Sequence, residues 1–329
     1  MRIIAASLSF CKFGLESKPG QMLRDAGIEI DANASGKKYL EEDLLPIIGQ
    51  YDGLITGADE VTRAVIEKGS HLRIIAKNGV GYDNIHVPTA TEQGIYVTFT
   101  PGAVEQTVAD TTIGLILDLA RNITRGHKSI HGEGWERIRG TEMWEKKLGI
   151  IGLGTIGKNV AHRARGFNME IFAHDPFIDL DYCSQNGVKS VDLDEIFKTC
   201  DYITIHCLLN EATRHLVNEE RLAMMKPSAY LINTSRGGVV DENALIKFLE
   251  EKKIAGAALD VFEKEPLPKD NPLLKLDNVV LTPHIAGYSH DANLKAGVMV
   301  AESVIAALQG KVPPHLLNKE VLEKEQKNG

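Results

Sequence analysis

Three ionisable side chains stand just past apolar, strand-like runs in the second half of the chain. Arg236 follows AYLINTS, Glu265 comes shortly after IAGAALD, and His284 follows NVVLTP. In an open parallel sheet, ligands bind at the carboxyl ends of the strands, near a topological switch point. Residues at three such ends therefore converge on one place, the reactive end of a bound cofactor. Taken singly, each has a plainer reading: a loop ion pair, a solvated carboxylate, a helix-flanking polar residue. A fourth motif supplies the cofactor. Leu148 to Gly157 reads LGIIGLGTIG, with Gly152, Gly154 and Gly157 spaced G-x-G-x-x-G. An apolar run precedes it and TIGKNVAHRARG follows, so the glycines sit at a strand-to-helix turn. There they permit a tight bend and close approach of a pyrophosphate to the helix N-terminus. Asp175 lies 18 residues past Gly157 at the end of the next strand. A carboxylate there binds the adenosine ribose 2′-hydroxyl and repels a 2′-phosphate, which favours NAD over NADP.

The elements that position these residues alternate almost throughout. Strand-like runs fall at Arg2–Ala6, Ile28–Asp31, Gly53–Thr56, Arg73–Lys77 and Ile95–Thr98, with amphipathic stretches between them. A long helix is predicted over about Ala103–Asn122. A second series follows at Leu148–Gly152, Met169–His174, Tyr202–His206, Ala229–Asn233, Ile254–Asp260 and Asn278–Leu281. A further helix spans about Ala292–Leu308, and the polar tail from Asn318 is expected to fray. A β-α-β-α rhythm implies parallel sheets with helices on both faces, here in two α/β units.

Composition narrows the function. A net charge of -8 with no basic stripe argues against nucleic acid as the main partner. No run approaches the ~20 apolar residues that span a bilayer. The four cysteines, Cys11, Cys183, Cys200 and Cys207, are scattered and form no C-x-x-C pair. Neither a zinc site nor a disulfide framework is indicated, no metal is expected, and a cytoplasmic setting fits.

The order and spacing of GLGTIG, NTSRG, DVFEKEP and TPHIAG resemble the D-isomer-specific 2-hydroxyacid dehydrogenases, near their phosphoglycerate dehydrogenase branch. NGVGYDN (Asn78–Asn84), TPG (Thr100–Gly102) and the approach around Trp144 extend the resemblance over roughly Asp52 to Leu317. It implies two doubly wound domains. A flavodoxin-like substrate domain of residues 1–98 and 288–329 would carry an inserted Rossmann cofactor domain of residues 99–287. Hinges would lie near Thr98–Gly102 and Ala286–Ser289, and closure would exclude water from hydride transfer.

The resemblance also assigns roles. Arg236 would hold the substrate carboxylate and carbonyl oxygen, His284 would be the general acid and base, and Glu265 would orient and charge its ring. The amides of Val80 and Gly81 would bind the substrate carboxylate. Asp260 would face the nicotinamide carboxamide. Thr155 and Ile156 would lie under the pyrophosphate, with Cys207, Thr213, Thr234, Ser235 and Gly287 lining the cofactor site. Within DVFEKEP, Glu263 and Lys264 read as a solvated pair, and Pro266 keeps Glu265 out of a helix. A small anionic 2-keto or 2-hydroxy acid would be the substrate, and the chain would dimerise through its cofactor domain.

Departures from the family pattern bear on the substrate. Phosphoglycerate dehydrogenases often carry an Arg-Ser pair where ITGADEVT has Thr56 and Gly57, and Asp59 and Glu60 add negative charge. A phosphate would lose a bidentate partner there. Lys77, which could replace it, reads rather as a surface charge at a strand end. Cys207 and Leu208 in HCLLN stand where the family commonly has an apolar residue and proline, and Cys207 reads as a packed thiol. TFTPGAV, Thr98–Val104, lacks two asparagines often seen in the family. Three alternatives remain at this stage: a short-form phosphoglycerate dehydrogenase, a phosphite dehydrogenase, and an NAD-sensing, corepressor-like binding protein.

Overall fold

Short runs of apolar residues, buried along both faces, become the strands of two parallel sheets. The computed structural model describes residues 1–323. The chain forms two units, Met1–Val104 together with Tyr288 onward, and Glu105–Gly287. The chain passes between them at 104/105 and 287/288.

In the first unit, β1 (Arg2–Ala5), β2 (Glu29–Ala32), β3 (Gly53–Thr56), β4 (Ile74–Lys77) and β5 (Tyr96–Thr98) lie in the order β2-β1-β3-β4-β5. The pairing is parallel throughout, with Ile3 opposite Gly53 and Ile55 opposite Ala76. Alternate residues feed two cores. Ile3, Ala5, Ile55 and Ile74 face one, while Ile4, Leu54 and Ile75 face the other. That double burial is why these runs read as continuously apolar.

The second unit holds β6 (Lys147–Ile151), β7 (Glu170–His174), β8 (Val188–Ser190), β9 (Tyr202–Ile205), β10 (Tyr230–Asn233), β11 (Gly256–Leu259) and β12 (Val279–Leu281). Their order is β12-β11-β10-β9-β6-β7-β8, again all parallel. The order reverses between β6 and β9, which marks the switch point of a Rossmann sheet. Leu148 and Ile150 point into one core and Ile151 into the other. The two-sheet α/β fold is the one expected, and predicted strands agree with those observed to within about two residues. β8 has no counterpart in the reading, because VKS carries only one apolar residue.

Two expectations fail here. Asn318 is buried, not frayed: its amide donates to Ile95 O and Thr91 Oγ1 and accepts from the N–H of Val97. Val321 is buried in the same core, so the polar tail is anchored to that point; the rest of the expected frayed tail, 324–329, lies outside the described residues. Lys77 is also buried, at 8% exposure, rather than a surface charge. No helix among the described residues is long and apolar enough to cross a membrane.

Candidate active site

The segment after β11 builds one half of the site. Asp260 is fully buried, and both of its carboxylate oxygens accept hydrogen bonds from a single turn. Thr282 Oγ1 (2.6 Å) and the N–H of Ile285 (2.8 Å) donate to Oδ1, and the N–H of Ala286 (2.8 Å) donates to Oδ2. The N–H of His284 donates to the Asp260 carbonyl at 2.9 Å. His284 adopts φ 54°, a left-handed backbone that a side chain other than glycine rarely takes. The hydrogen bonds around it offset that cost. Asp260, read from the family as a nicotinamide contact, is seen here building the turn that presents His284.

Glu265 meets the ring of that histidine. His284 Nδ1 donates to Glu265 Oε2 at 2.8 Å, while Glu265 Oε1 accepts from the N–H of Phe262 at 3.0 Å. One carboxylate oxygen is thus fixed to its own loop and the other to the imidazole. Burial pushes the Glu265 carboxyl up. The bond and charge of His284, the Phe262 N–H and the Arg236 guanidinium outweigh that and hold it below the usual carboxylate range. The side chains remain 35% (Glu265) and 49% (His284) exposed, and His284 Nε2 has no partner among the described residues. Glu263, like Lys264, is exposed as expected, but its carboxylate has partners. It accepts from His215 Nε2 at 2.8 Å and faces the start of the helix Glu242–Glu250.

Arg236 is carried by the turn after β10. Asn233 is buried and holds that turn: its Nδ2 donates to Arg236 O, and its Oδ1 accepts from the N–H and hydroxyl of Ser235. Asn233 is the residue that sequence reasoning missed. The signal was present, since an Asn at a strand end followed by Thr-Ser is an Asx-turn pattern. Gly237 then lets the two loops touch. A Cβ there would lie 1.9 Å from the Phe262 carbonyl carbon, so only glycine admits the DVFE backbone beside the arginine loop. Ser235 and Thr234 turn their hydroxyls to protein partners, Thr234 to Thr112 Oγ1 at 3.0 Å. Gly287 closes this unit.

At the switch point, Gly152 takes φ 94°, and a Cβ on it would come within 2.6 Å of the Cys207 nitrogen. The backbone just past β9, at His206 and Cys207, therefore runs directly against the glycine turn. The helix Thr155–Ala164 starts there with Gly154 as N-cap, a position with nothing within 4 Å of an added Cβ. Its first N–H groups, those of Thr155 and Ile156 among them, lie beyond the helix's own bonding and suit an anion. Gly157 is buried under that turn. Asp175 stands at the end of β7, where it accepts from the N–H groups of Leu153 (2.9 Å) and Phe177 (2.8 Å). Glycine turn, open helix start and strand-end carboxylate together fit a dinucleotide.

Segment 113–286 matches the family model "D-isomer specific 2-hydroxyacid dehydrogenase, NAD binding domain". The chain is 44% identical over 271 residues to a glyoxylate reductase of Korarchaeum cryptofilum, covering 80% of this chain and 82% of that protein. It belongs to the D-isomer-specific 2-hydroxyacid dehydrogenase family. It is accordingly an NAD-dependent oxidoreductase that acts on CH–OH groups. A D-3-phosphoglycerate dehydrogenase of Methanocaldococcus jannaschii is 45% identical over 84% of this chain, but this chain spans only 54% of that longer protein. A D-lactate dehydrogenase from Aquifex aeolicus, solved with NAD and lactic acid, superposes with a TM-score of 0.82. It is 27% identical and covers 94% of this chain and 96% of that one.

The dehydrogenase places its remaining predicted residues as follows. Cys207 is half-buried beside Gly152, and burial pushes its thiol up to about 11, so it stays neutral. Thr213 staples its own loop, donating to Leu208 O and accepting from the N–H of Asn210. In the first unit, the N–H groups of Val80 and Gly81 make no hydrogen bond among the described residues. Gly79 before them takes φ 151°.

Proposed function

We propose that this dehydrogenase reduces a small, unphosphorylated 2-keto acid to the D-2-hydroxy acid with NADH, with His284 as the proton donor. The observation that carries this reading is the 2.8 Å bond from His284 Nδ1 to Glu265, which leaves Nε2 unpartnered among the described residues. Bound NADH supplies the hydride. His284 gives its Nε2 proton to the carbonyl oxygen, and Glu265 holds the ring and stabilises its charged form. Arg236 offers its fork of donors to the substrate carboxylate. Asp175 holds the adenosine ribose, which favours NAD over NADP. In the first unit, the Val80 and Gly81 amides offer two donors to an anion.

Lys77 supports an unphosphorylated substrate. Its Nζ donates to Gly57 O and to Asn84 Oδ1, with Asp59 buried in the same loop, so this cation is turned inward. A second copy of the chain is the partner we propose. The helix Ile123–His131 buries none of its residues, and Ile123, Ile130, Trp135 (82% exposed) and Trp144 present apolar surface along one segment of the cofactor unit. The four unpaired cysteines support a reducing, cytoplasmic setting.

NADH oxidation with glyoxylate, pyruvate, hydroxypyruvate and phosphohydroxypyruvate side by side tests the substrate. Fastest turnover of the phosphorylated acid would overturn the reading. Light scattering on Trp135→Lys tests the partner, with a shift from dimer to monomer expected.

A further inference from the structure

The loop after β9 holds a histidine–carboxylate pair that the chemistry above does not use. It reads NEATRHLVN, and His215 within it takes φ 50°, a left-handed backbone that needs support from its surroundings. Two anchors supply that support. The first is backbone. The N–H of His215 donates to Gly238 O at 2.9 Å, and a short parallel pairing continues from it, with the N–H of Val217 donating to Val239 O and that of Asp241 to Val217 O. Val217, Val239 and Val240 are buried in one core, so packing fixes this backbone just beyond the Arg236 turn.

The imidazole makes the second anchor. His215 Nε2 donates to Glu263 Oε1 at 2.8 Å, and Glu263 stands two residues before Glu265. Glu263 is also engaged with Glu242: the N–H of Glu242 donates to Glu263 Oε1 at 3.4 Å, and the N–H of Glu263 to Glu242 Oε2 at 3.2 Å. Two like charges at one loop junction need further donors to hold them there. Asn271 Nδ2 donates to Glu242 Oε1 at 2.8 Å, and His215 serves Glu263. One residue therefore ties the Arg236 loop by its backbone and the Glu265 loop by its ring. The packing of Gly237 on the Phe262 carbonyl sets how closely the loops approach, and the His215 bond sets their register.

We propose that His215 is a positioning residue: by holding Glu263, it sets the loop that carries Glu265 against the loop that carries Arg236. That role rests on the reading above that Arg236 and His284 act on the keto acid. A substrate held on Arg236 must present its carbonyl oxygen to His284, whose ring Glu265 orients. A shift between the two loops then lowers turnover more than it lowers binding. The pair is partly exposed, at 45% for His215 and 32% for Glu263, so the effect is severalfold and smaller than that of removing His284.

The experiment is steady-state NADH oxidation by the full chain, with whichever of glyoxylate, pyruvate, hydroxypyruvate and phosphohydroxypyruvate it reduces fastest. His215→Asn tolerates the left-handed backbone and keeps its N–H, but its side chain is too short for Glu263. Its kcat should fall about three- to tenfold while KM for NADH stays within about twofold. His215→Gln returns a donor near the Nε2 position and should recover most of the rate. Glu263→Ala removes the bond from its other end. The double variant His215→Asn/Glu263→Ala should be no slower than the slower single one, because both act through one bond. Assays well below the melting temperature of each preparation keep loss of fold out of the comparison, and Glu263→Ala carries the test if His215→Asn does not fold. Unchanged kcat in the single variants, equal rates for Asn and Gln at 215, or losses that multiply in the double variant overturn the role. His284→Ala in the same series separates the two readings. Turnover kept there removes the underlying chemistry, whereas turnover lost there and kept in His215→Asn removes the positioning role alone.

Discussion

The two units are built alike and use charge in opposite ways. Each is a parallel doubly wound sheet with polar residues gathered at the carboxyl ends of its strands. In the cofactor unit, the loops after β10, β11 and β12 carry Arg236, Glu265 and His284, and the bonded Glu265–His284 pair stays partly open to solvent. In the first unit, Asp59 in the loop after β3 and Lys77 at the end of β4 turn inward, while Glu60 is half-buried and Asp83 exposed. Lys77 is engaged with Gly57 and Asn84, and Asp59 accepts from Thr56, Gly57 and Tyr39. The difference between the two units lies in where these strand-end charges point.

Removing the forward-pointing charges should break the chemistry while sparing the fold. His284→Ala is expected to lose roughly 10²–10⁴ in kcat and still bind NADH, as read by fluorescence titration. Near-normal turnover would end the proposed role. Asp260→Asn is the next largest. Its carboxylate accepts three donors from the His284 turn, and an amide can match only part of that set. A loss of about 10² in kcat/KM is expected, with about 1–3 kcal/mol of stability. A variant with intact stability and turnover would show that the turn holds its shape without the carboxylate.

Much of this contrast was legible in the sequence, and the rest was not for definable reasons. Continuous apolar runs fix both sheets, because a strand buried on two faces tolerates few polar residues. Gly152, Asp175, Arg236, Glu265 and His284 were each readable from position relative to a strand end. Asp260 and Lys77 were not, since sequence shows that a charge follows a strand but not which way its side chain turns. Only the N–H groups of Ile285 and Ala286 reveal that Asp260 serves the histidine turn. Only Asn84, seven residues along, reveals that Lys77 is satisfied internally.

Glu265→Gln sharpens the comparison through pH. The carboxyl is held below its ordinary range, so its contribution is present above the unfolded value and is lost as pH falls through the folded one. At neutral pH the contribution is complete. The melting-temperature gap between wild type and Glu265→Gln should therefore be widest near neutrality and close as pH drops below the ordinary carboxylate range. The gap should be small, because both side chains are partly exposed. In activity, kcat for reduction should fall about tenfold or more. A variant with unchanged kcat would mean that the imidazole works without the Glu265 carboxylate.

The smallest catalytic effect, and the sharpest test of the contrast, belongs to Lys77→Met. If the first unit turns this charge inward, the variant should lose stability rather than specificity. Gly57 O and Asn84 Oδ1 would each lose a donor, although Asn84 Nδ2 still reaches Gly57 O at 3.0 Å. A loss of about 1–3 kcal/mol by urea denaturation is expected. The ratio of unphosphorylated to phosphorylated substrate should stay within about twofold, because a lysine with its donors committed inside the loop has no direct contact to withdraw. A variant of unchanged stability whose ratio rises would put Lys77 in the substrate site. The first unit would then present charge just as the cofactor unit does.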